Sequence, residues 1–89
     1  MSDIEILQTA VKVYGEFAQE QVAIEECSEL IQAICHKHRG RLHNIAEEIA
    51  DVEIMLEQLK IINDCRETVE ETKKQKIDRL YDRLFDKCL

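Results

Sequence analysis

The sequence predicts an all-α protein of three long helices and one short N-terminal helix, forming a single domain over residues 1–89. Three observations predict this class. The chain has no proline and only two glycines, its residues are 45% apolar and 35% charged, and the apolar residues recur at helical spacing. Because a domain of 89 residues buries only a modest core, we expect oligomerisation to complete the helical bundle.

Gly15 separates the first two predicted helices. Asp3 is expected to cap a first helix that runs to about Tyr14. Gly15 interrupts the pattern, and a second helix is predicted from Phe17 to about His38.

The third helix follows a glycine turn. Arg39-Gly40-Arg41 predicts this turn, with Gly40 suited to the C-terminus of the second helix. Asn44 is then expected to cap a helix from Ile45 to about Ile62, with Glu47 at the third helical position as in a capping box.

The fourth helix is predicted from about Glu67 to Cys88, after a break at Asn63-Asp64. Its second half carries apolar residues at helical spacing. These are Ile77, Leu80, Tyr81, Leu84 and Phe85.

Composition and charge exclude several classes of protein. The chain has 19 acidic and 12 basic side chains and a formal charge of −7, which argues against a nucleic-acid polymer as the main partner. No apolar run approaches the roughly 20 residues that cross a bilayer, and the acidic N-terminus is unlike a secretory or transit signal. The four cysteines form no C-x-x-C pair and lie in amphipathic patterns, as small packing residues do. We therefore expect a cytoplasmic protein with no membrane partner.

The third helix places carboxylates within its apolar face. At about 100° per residue, Glu48 and Asp51 fall inside the apolar arc, and Met55 lies at its edge. The arc itself is formed by Ile45, Ile49, Val52, Leu56, Leu59 and Ile62.

The second helix repeats this arrangement. Glu26 and Glu29 are three residues apart and therefore share one side of the helix, beside an apolar stripe. The stripe comprises Ala23, Cys27, Leu30 and Ile34. Since the two helices are joined by a short turn, they should be antiparallel. Glu29 lies 11 residues before Gly40 and Asp51 lies 11 after it, which predicts that the two acidic pairs meet at similar heights.

Four carboxylates in an apolar setting need a compensating partner. An isolated buried carboxylate faces a desolvation penalty of several kcal/mol, so it must be protonated, paired with a base or bound to a cation. Oxygen ligands without histidine or cysteine suit Mg²⁺ or Mn²⁺ better than zinc. The alternative is a solvated acidic face, because any helix rich in glutamate produces acidic pairs at this spacing.

The two acidic segments resemble the motifs of a known family. Residues 25–30, Glu-Glu-Cys-Ser-Glu-Leu, resemble the E-E-x-x-E-L motif of MazG-like nucleoside triphosphate pyrophosphohydrolases. Residues 48–52, Glu-Ile-Ala-Asp-Val, resemble that family's E-x-x-D motif. The 18 residues between the acids of the two motifs are a normal separation, and Tyr14-Gly15 followed by Gln21 resembles the segment ahead of the first motif. The resemblance covers roughly residues 13–59.

This resemblance implies an all-α enzyme that forms dimers or dimers of dimers. Such enzymes hydrolyse a nucleoside triphosphate, often a deoxynucleotide or a non-standard one, to the monophosphate and pyrophosphate, and they need Mg²⁺. A house-cleaning role in the nucleotide pool would follow. Carried over by position, the metal ligands would be Glu26, Glu29, Glu48 and Asp51. Glu25 would act in catalysis, either supporting the metal ligands or positioning the attacking water.

Basic residues late in the chain are candidates for phosphate binding. Lys76 and Arg79 lie on one side of the fourth helix and are predicted to contact the β- and γ-phosphates, as late basic residues do in this family. Asp78 and Asp82 are close by, so an ordinary salt-bridged surface is the alternative.

Two other functions are compatible with a helical bundle of this composition. One is a catalytically silent dimerisation or regulatory module. The other is a di-metal carboxylate oxidoreductase, which the absence of E-x-x-H pairs disfavours.

Overall fold

The computed structural model describes residues 1–86, which form four helices and no strand. The helices are α1 Asp3–Tyr14, α2 Glu16–His38, α3 Ile45–Asn63 and α4 Arg66–Phe85. The prediction of an all-α fold is confirmed. The start of each helix lies within one residue of its predicted position, whereas the predicted end of the fourth helix at Cys88 lies outside the described residues.

The first helix is capped by Ser2, not by Asp3 as predicted. The Ser2 hydroxyl accepts a hydrogen bond from the Glu5 backbone N–H at 3.2 Å, and the Ser2 N–H donates to Glu5 Oε1 at 2.9 Å. This reciprocal pair is a capping box, and it leaves Asp3 in the first turn, where its charge complements the helix dipole.

The end of α2 forms a Schellman turn around Gly40. Gly40 has φ 70°, and its N–H donates to the Lys37 carbonyl at 3.0 Å. The Arg41 N–H donates to the His36 carbonyl at 2.9 Å. Because the left-handed conformation at this position favours glycine, the predicted role of Gly40 is confirmed.

The start of α3 differs from its prediction. Asn44 precedes the helix, but its side chain makes no capping hydrogen bond, so the predicted capping box with Glu47 is wrong. The Ile45 N–H instead donates to His43 Nδ1 at 3.3 Å. The Asn44 amide instead donates to the Glu48 side chain, one turn along α3. A buried carboxylate without a donor costs more free energy than an exposed helix end without a cap, because water can reach the helix end.

The most extensive contact in the described chain is between α2 and α3. The buried face of α3 is turned away from the predicted one, since Ile49 and Leu56 are each 45% exposed. The residues that α3 buries are Glu48, Val52, Met55 and Gln58. From α2, the buried residues are Gln19, Ala23 and Ala33, while Cys27 and Cys35 are exposed and do not pack as predicted.

The other two helices extend this pair. α1 contacts both α2 and α3, whereas α4 contacts α3 alone within residues 1–86. Glu57 ties the start of α4 to α3, because its two oxygens pair with Lys60 at 2.8 Å and with Arg66 at 2.9 Å. Within the described part of the chain, no helix combines the length and apolar character that crossing a membrane requires.

Candidate metal centre

A buried hydrogen bond fixes how α2 and α3 pair. Gln19 Nε2 donates to Gln58 Oε1 at 2.6 Å, and both side chains are buried. Because the two helices are antiparallel, each residue added after Gln19 on α2 corresponds to one residue before Gln58 on α3. Glu26 is then level with Asp51, and Glu29 is level with Glu48. The acidic pairs therefore meet, but about one turn away from the register predicted from the position of Gly40.

Three of the predicted ligands converge between the helices. One carboxylate oxygen from each of Glu26, Glu29 and Glu48 lies within 4.8 Å of the other two. Glu48 is buried, Glu26 is half-buried and Glu29 is exposed, so the cluster extends from the α2–α3 contact to solvent. A cation could therefore reach the cluster from solvent and contact an oxygen of the buried residue.

Glu48 is the most deeply placed of these acids, with 7% of its surface exposed. Its Oε1 accepts a hydrogen bond from Asn44 Nδ2 at 2.8 Å, whereas its Oε2 is buried and has no hydrogen-bond partner among the described residues. Burial raises the pKa of Glu48, the hydrogen bond from Asn44 opposes that rise, and the charges of Glu29 and Asp51 add to it. One oxygen is thus oriented by Asn44, and the other is unpartnered within residues 1–86.

The environment of Glu26 also disfavours its charged form. Burial, followed by the charges of Glu29 and Asp51, raises its pKa from 4.5 to about 6. Its Oε2 is also buried without a hydrogen-bond partner within residues 1–86. A raised pKa and an unpartnered oxygen are compatible with a cation ligand, because the clustered negative charges favour a positive partner.

Asp51 lies at the edge of the cluster. It is half-buried, and its charge raises the pKa of both Glu26 and Glu48. It is outside the group of three whose oxygens lie within 4.8 Å. The structure therefore brings Asp51 close enough to act on the cluster electrostatically.

Glu25 is exposed on α2, about 100° around the helix from Glu26. The Ser28 hydroxyl donates to the Glu25 backbone carbonyl at 2.7 Å, and the Glu25 side chain is exposed to solvent. This is a position that a water molecule or a substrate can reach.

The two predicted phosphate ligands lie apart from the cluster in a single chain. Lys76 and Arg79 are exposed on α4, and α4 packs against α3 but not against α2 within the described residues. Lys74, on the same helix, pairs with Asp78 at 3.9 Å. Within residues 1–86, neither Lys76 nor Arg79 forms an ion pair that would fix its position.

Sequence reasoning missed three residues that shape the centre. Capping is the predicted role of Asn44, although its spacing of four from Glu48 is a signal for a side-chain contact on one helix face. Gln19 and Gln58 were not singled out. Each lies at helical spacing from apolar core residues, which is the signal that a polar side chain is buried.

No known protein family matched the chain, and neither the curated proteins nor the solved structures compared with it gave a match.

Proposed function

We propose that this chain is a Mg²⁺-dependent hydrolase that converts a nucleoside or deoxynucleoside triphosphate to the monophosphate and pyrophosphate. The observation that carries the proposal is Glu48. It is a carboxylate with only 7% exposure, and one of its oxygens is buried without a hydrogen-bond partner among the described residues. One of its oxygens lies within 4.8 Å of carboxylate oxygens from Glu26 and Glu29. The resemblance of the two acidic motifs to those of MazG-like pyrophosphohydrolases supplies the reaction.

The donor set suits a hard divalent cation. Every side chain in the cluster offers oxygen, the ligand type that Mg²⁺ and Mn²⁺ prefer. We assign Glu26, Glu29 and Glu48 to hold the ion, with Asp51 as the fourth ligand. When bound, Mg²⁺ neutralises phosphate charge and lowers the pKa of a bound water.

The chain's own groups would bind and orient the triphosphate. Glu25, exposed beside Glu26, would position the attacking water. Lys76 and Arg79 lie apart from the cluster in a single chain, so they would contact the β- and γ-phosphates, which leave as pyrophosphate, from another copy in the oligomer. A triphosphate needs mainly positioning and charge neutralisation for hydrolysis, so few groups are required. We further propose that the protein acts in the cytoplasm, as an oligomer, in clearing the nucleotide pool.

The direct test is pyrophosphate release from a panel of standard and modified nucleoside triphosphates. We expect release with Mg²⁺ or Mn²⁺ and none after chelation. Glu48→Gln should be inactive, while Glu47→Gln, a matched change at the exposed neighbouring residue, should stay active. If no triphosphate in the panel is hydrolysed with either ion, the proposed reaction is wrong, and a silent helical module becomes the better description.

A further inference from the structure

The side of α2 that faces away from α3 carries a second apolar stripe. Phe17, Ile24 and Ile31 are spaced by seven residues and are 74%, 64% and 61% exposed. Cys27 and Ile34 complete the stripe, each three residues after one of these isoleucines. Alternating steps of three and four are the spacing of a coiled-coil seam, and α2 presents this seam in addition to the one it buries against α3.

The described part of the chain leaves this stripe uncovered. α1 contacts α2, yet the stripe residues remain exposed. The internal core is small, since residues 1–86 contain five buried apolar side chains. A row of large exposed apolar residues along about four helical turns is a surface for association, because solvated proteins rarely present one without a partner.

The two ends of the stripe carry opposite charges. Glu16 and Glu20 are exposed at the N-terminal end of α2. At the C-terminal end, Lys37, His38 and Arg39 are exposed, and no ion pair within residues 1–86 engages any of these five side chains. A second α2 running antiparallel would place acidic against basic ends, and a parallel one would place like charges together.

We propose that α2 of a second copy of this chain packs antiparallel against the stripe and forms a two-fold dimer. Pairing Ile24 with the partner's Ile34 puts Cys27 against the partner's Ile31. Moving four residues back from Ile24, and four residues forward from the partner's Ile34, puts Glu20 beside the partner's His38. By symmetry each contact occurs twice. Glu29 projects from the opposite side of α2, so this dimer leaves the carboxylate cluster open. The dimer specifies the interface of the proposed oligomer and does not depend on the proposed hydrolase activity.

Sedimentation of the full chain tests this interface. We expect a mass of twice 10.4 kDa, or a multiple of that dimer. Ile31→Glu should raise the dissociation constant of the dimer by at least about 100-fold, because each copy then places a charge in the α2–α2 interface. Gln32→Glu adds the same charge to the adjacent exposed residue, on the other side of α2, and should leave the mass unchanged. Circular dichroism of Ile31→Glu verifies that its helices are retained.

A charge exchange tests the register without touching the apolar residues. Glu20→Lys and His38→Glu should each weaken the dimer by about tenfold, and the double variant should return to within about threefold of the wild type. A monomeric wild type, or a mass that Ile31→Glu does not change, overturns the proposal. Dissociation by Leu80→Glu but not by Ile31→Glu also overturns it, because the interface would then lie on α4.

Discussion

At the residue scale, Glu48 is the most buried carboxylate within residues 1–86, with 7% of its surface exposed. Among the described residues only Asn44 donates to it, and oxygens of two neighbouring carboxylates lie within 4.8 Å of one of its own. Charged groups without a partner are costly to bury, and like charges add to that cost. A bound cation, as proposed, would offset this cost by neutralising the clustered charges.

Replacing Glu48 should lower the activity and raise the stability of the metal-free protein. Glu48→Gln removes one negative charge and preserves the shape of the side chain. We expect pyrophosphate release to fall on the order of 100-fold or more, because one metal ligand is lost. The melting temperature of the metal-free protein should rise, since repulsion within the cluster decreases. Lower metal-free stability together with full activity would place Glu48 outside the site.

The raised pKa of Glu26 predicts how the stability of the metal-free protein depends on pH. The folded protein holds the Glu26 proton up to about pH 6, whereas the unfolded chain releases it near 4.5. The folded state therefore binds more protons between these values, and the free energy of unfolding should fall as pH rises from about 4.5 to about 6.

Thermal denaturation in chelator across this pH range measures the effect. Glu26→Gln should flatten the decline, because the residue no longer titrates. Saturating Mg²⁺ should restore stability at neutral pH and have less effect near pH 5, where protons compete for the same oxygens. A decline that is identical in the wild type and in Glu26→Gln would contradict this assignment.

At the element scale, the α2–α3 contact depends on one polar pair. Gln19 and Gln58 are buried and bonded to each other, and a buried polar pair of this kind can specify the register of two helices. Register matters here, since a slip of one turn would separate Glu29 from Glu48.

Single and double substitutions of this pair should give different results. Gln19→Leu leaves the Gln58 amide unsatisfied and should destabilise the protein by about 1–3 kcal/mol. The double variant Gln19→Leu/Gln58→Leu leaves no unsatisfied group and should recover most of that loss, but its weaker register should reduce the stabilisation by Mg²⁺. Chemical denaturation with and without Mg²⁺ measures both effects. Additive losses in the double variant would show that the two amides do not act as a pair.

The proposed phosphate ligands lie on α4, where their side chains are exposed. Arg79→Ala should raise KM for the triphosphate about tenfold if Arg79 binds phosphate, because one charge-assisted hydrogen bond is lost. Lys74→Ala is the matched control, since Lys74 already pairs with Asp78 on the same helix. Steady-state kinetics compares the two variants. Equal KM values in Arg79→Ala and the wild type would assign Arg79 to the solvated surface.

Local signals predicted the helices well, because glycine turns and apolar periodicity act over a few residues. Gly40 and the break before α4 are examples. The sequence also identified the acids that converge. It did not predict that Asn44 would turn to Glu48, that Ile49 and Leu56 would be exposed, or the α2–α3 register. These features depend on which helices meet, and periodicity within one helix carries no such information.

At the scale of the whole molecule, an acidic chain is proposed to bind an acidic substrate. Its formal charge of −7 would repel a triphosphate unless bound cations reverse the local potential. The same cations would relieve repulsion between the carboxylates of α2 and α3. Ion binding should therefore stabilise the whole α2–α3 pair, and with it the fold.

The most direct test of this account is the melting temperature of the wild type during a Mg²⁺ titration at constant ionic strength and neutral pH. A saturable rise is expected, amounting to about 1.4 kcal/mol, or roughly 6–11 °C, when Mg²⁺ reaches about ten times its dissociation constant. The variant Glu26→Gln/Glu48→Gln should lose that rise, and Glu47→Gln should keep it. A rise of equal size in the double variant, or none in the wild type, would contradict the claim that these carboxylates form a metal site.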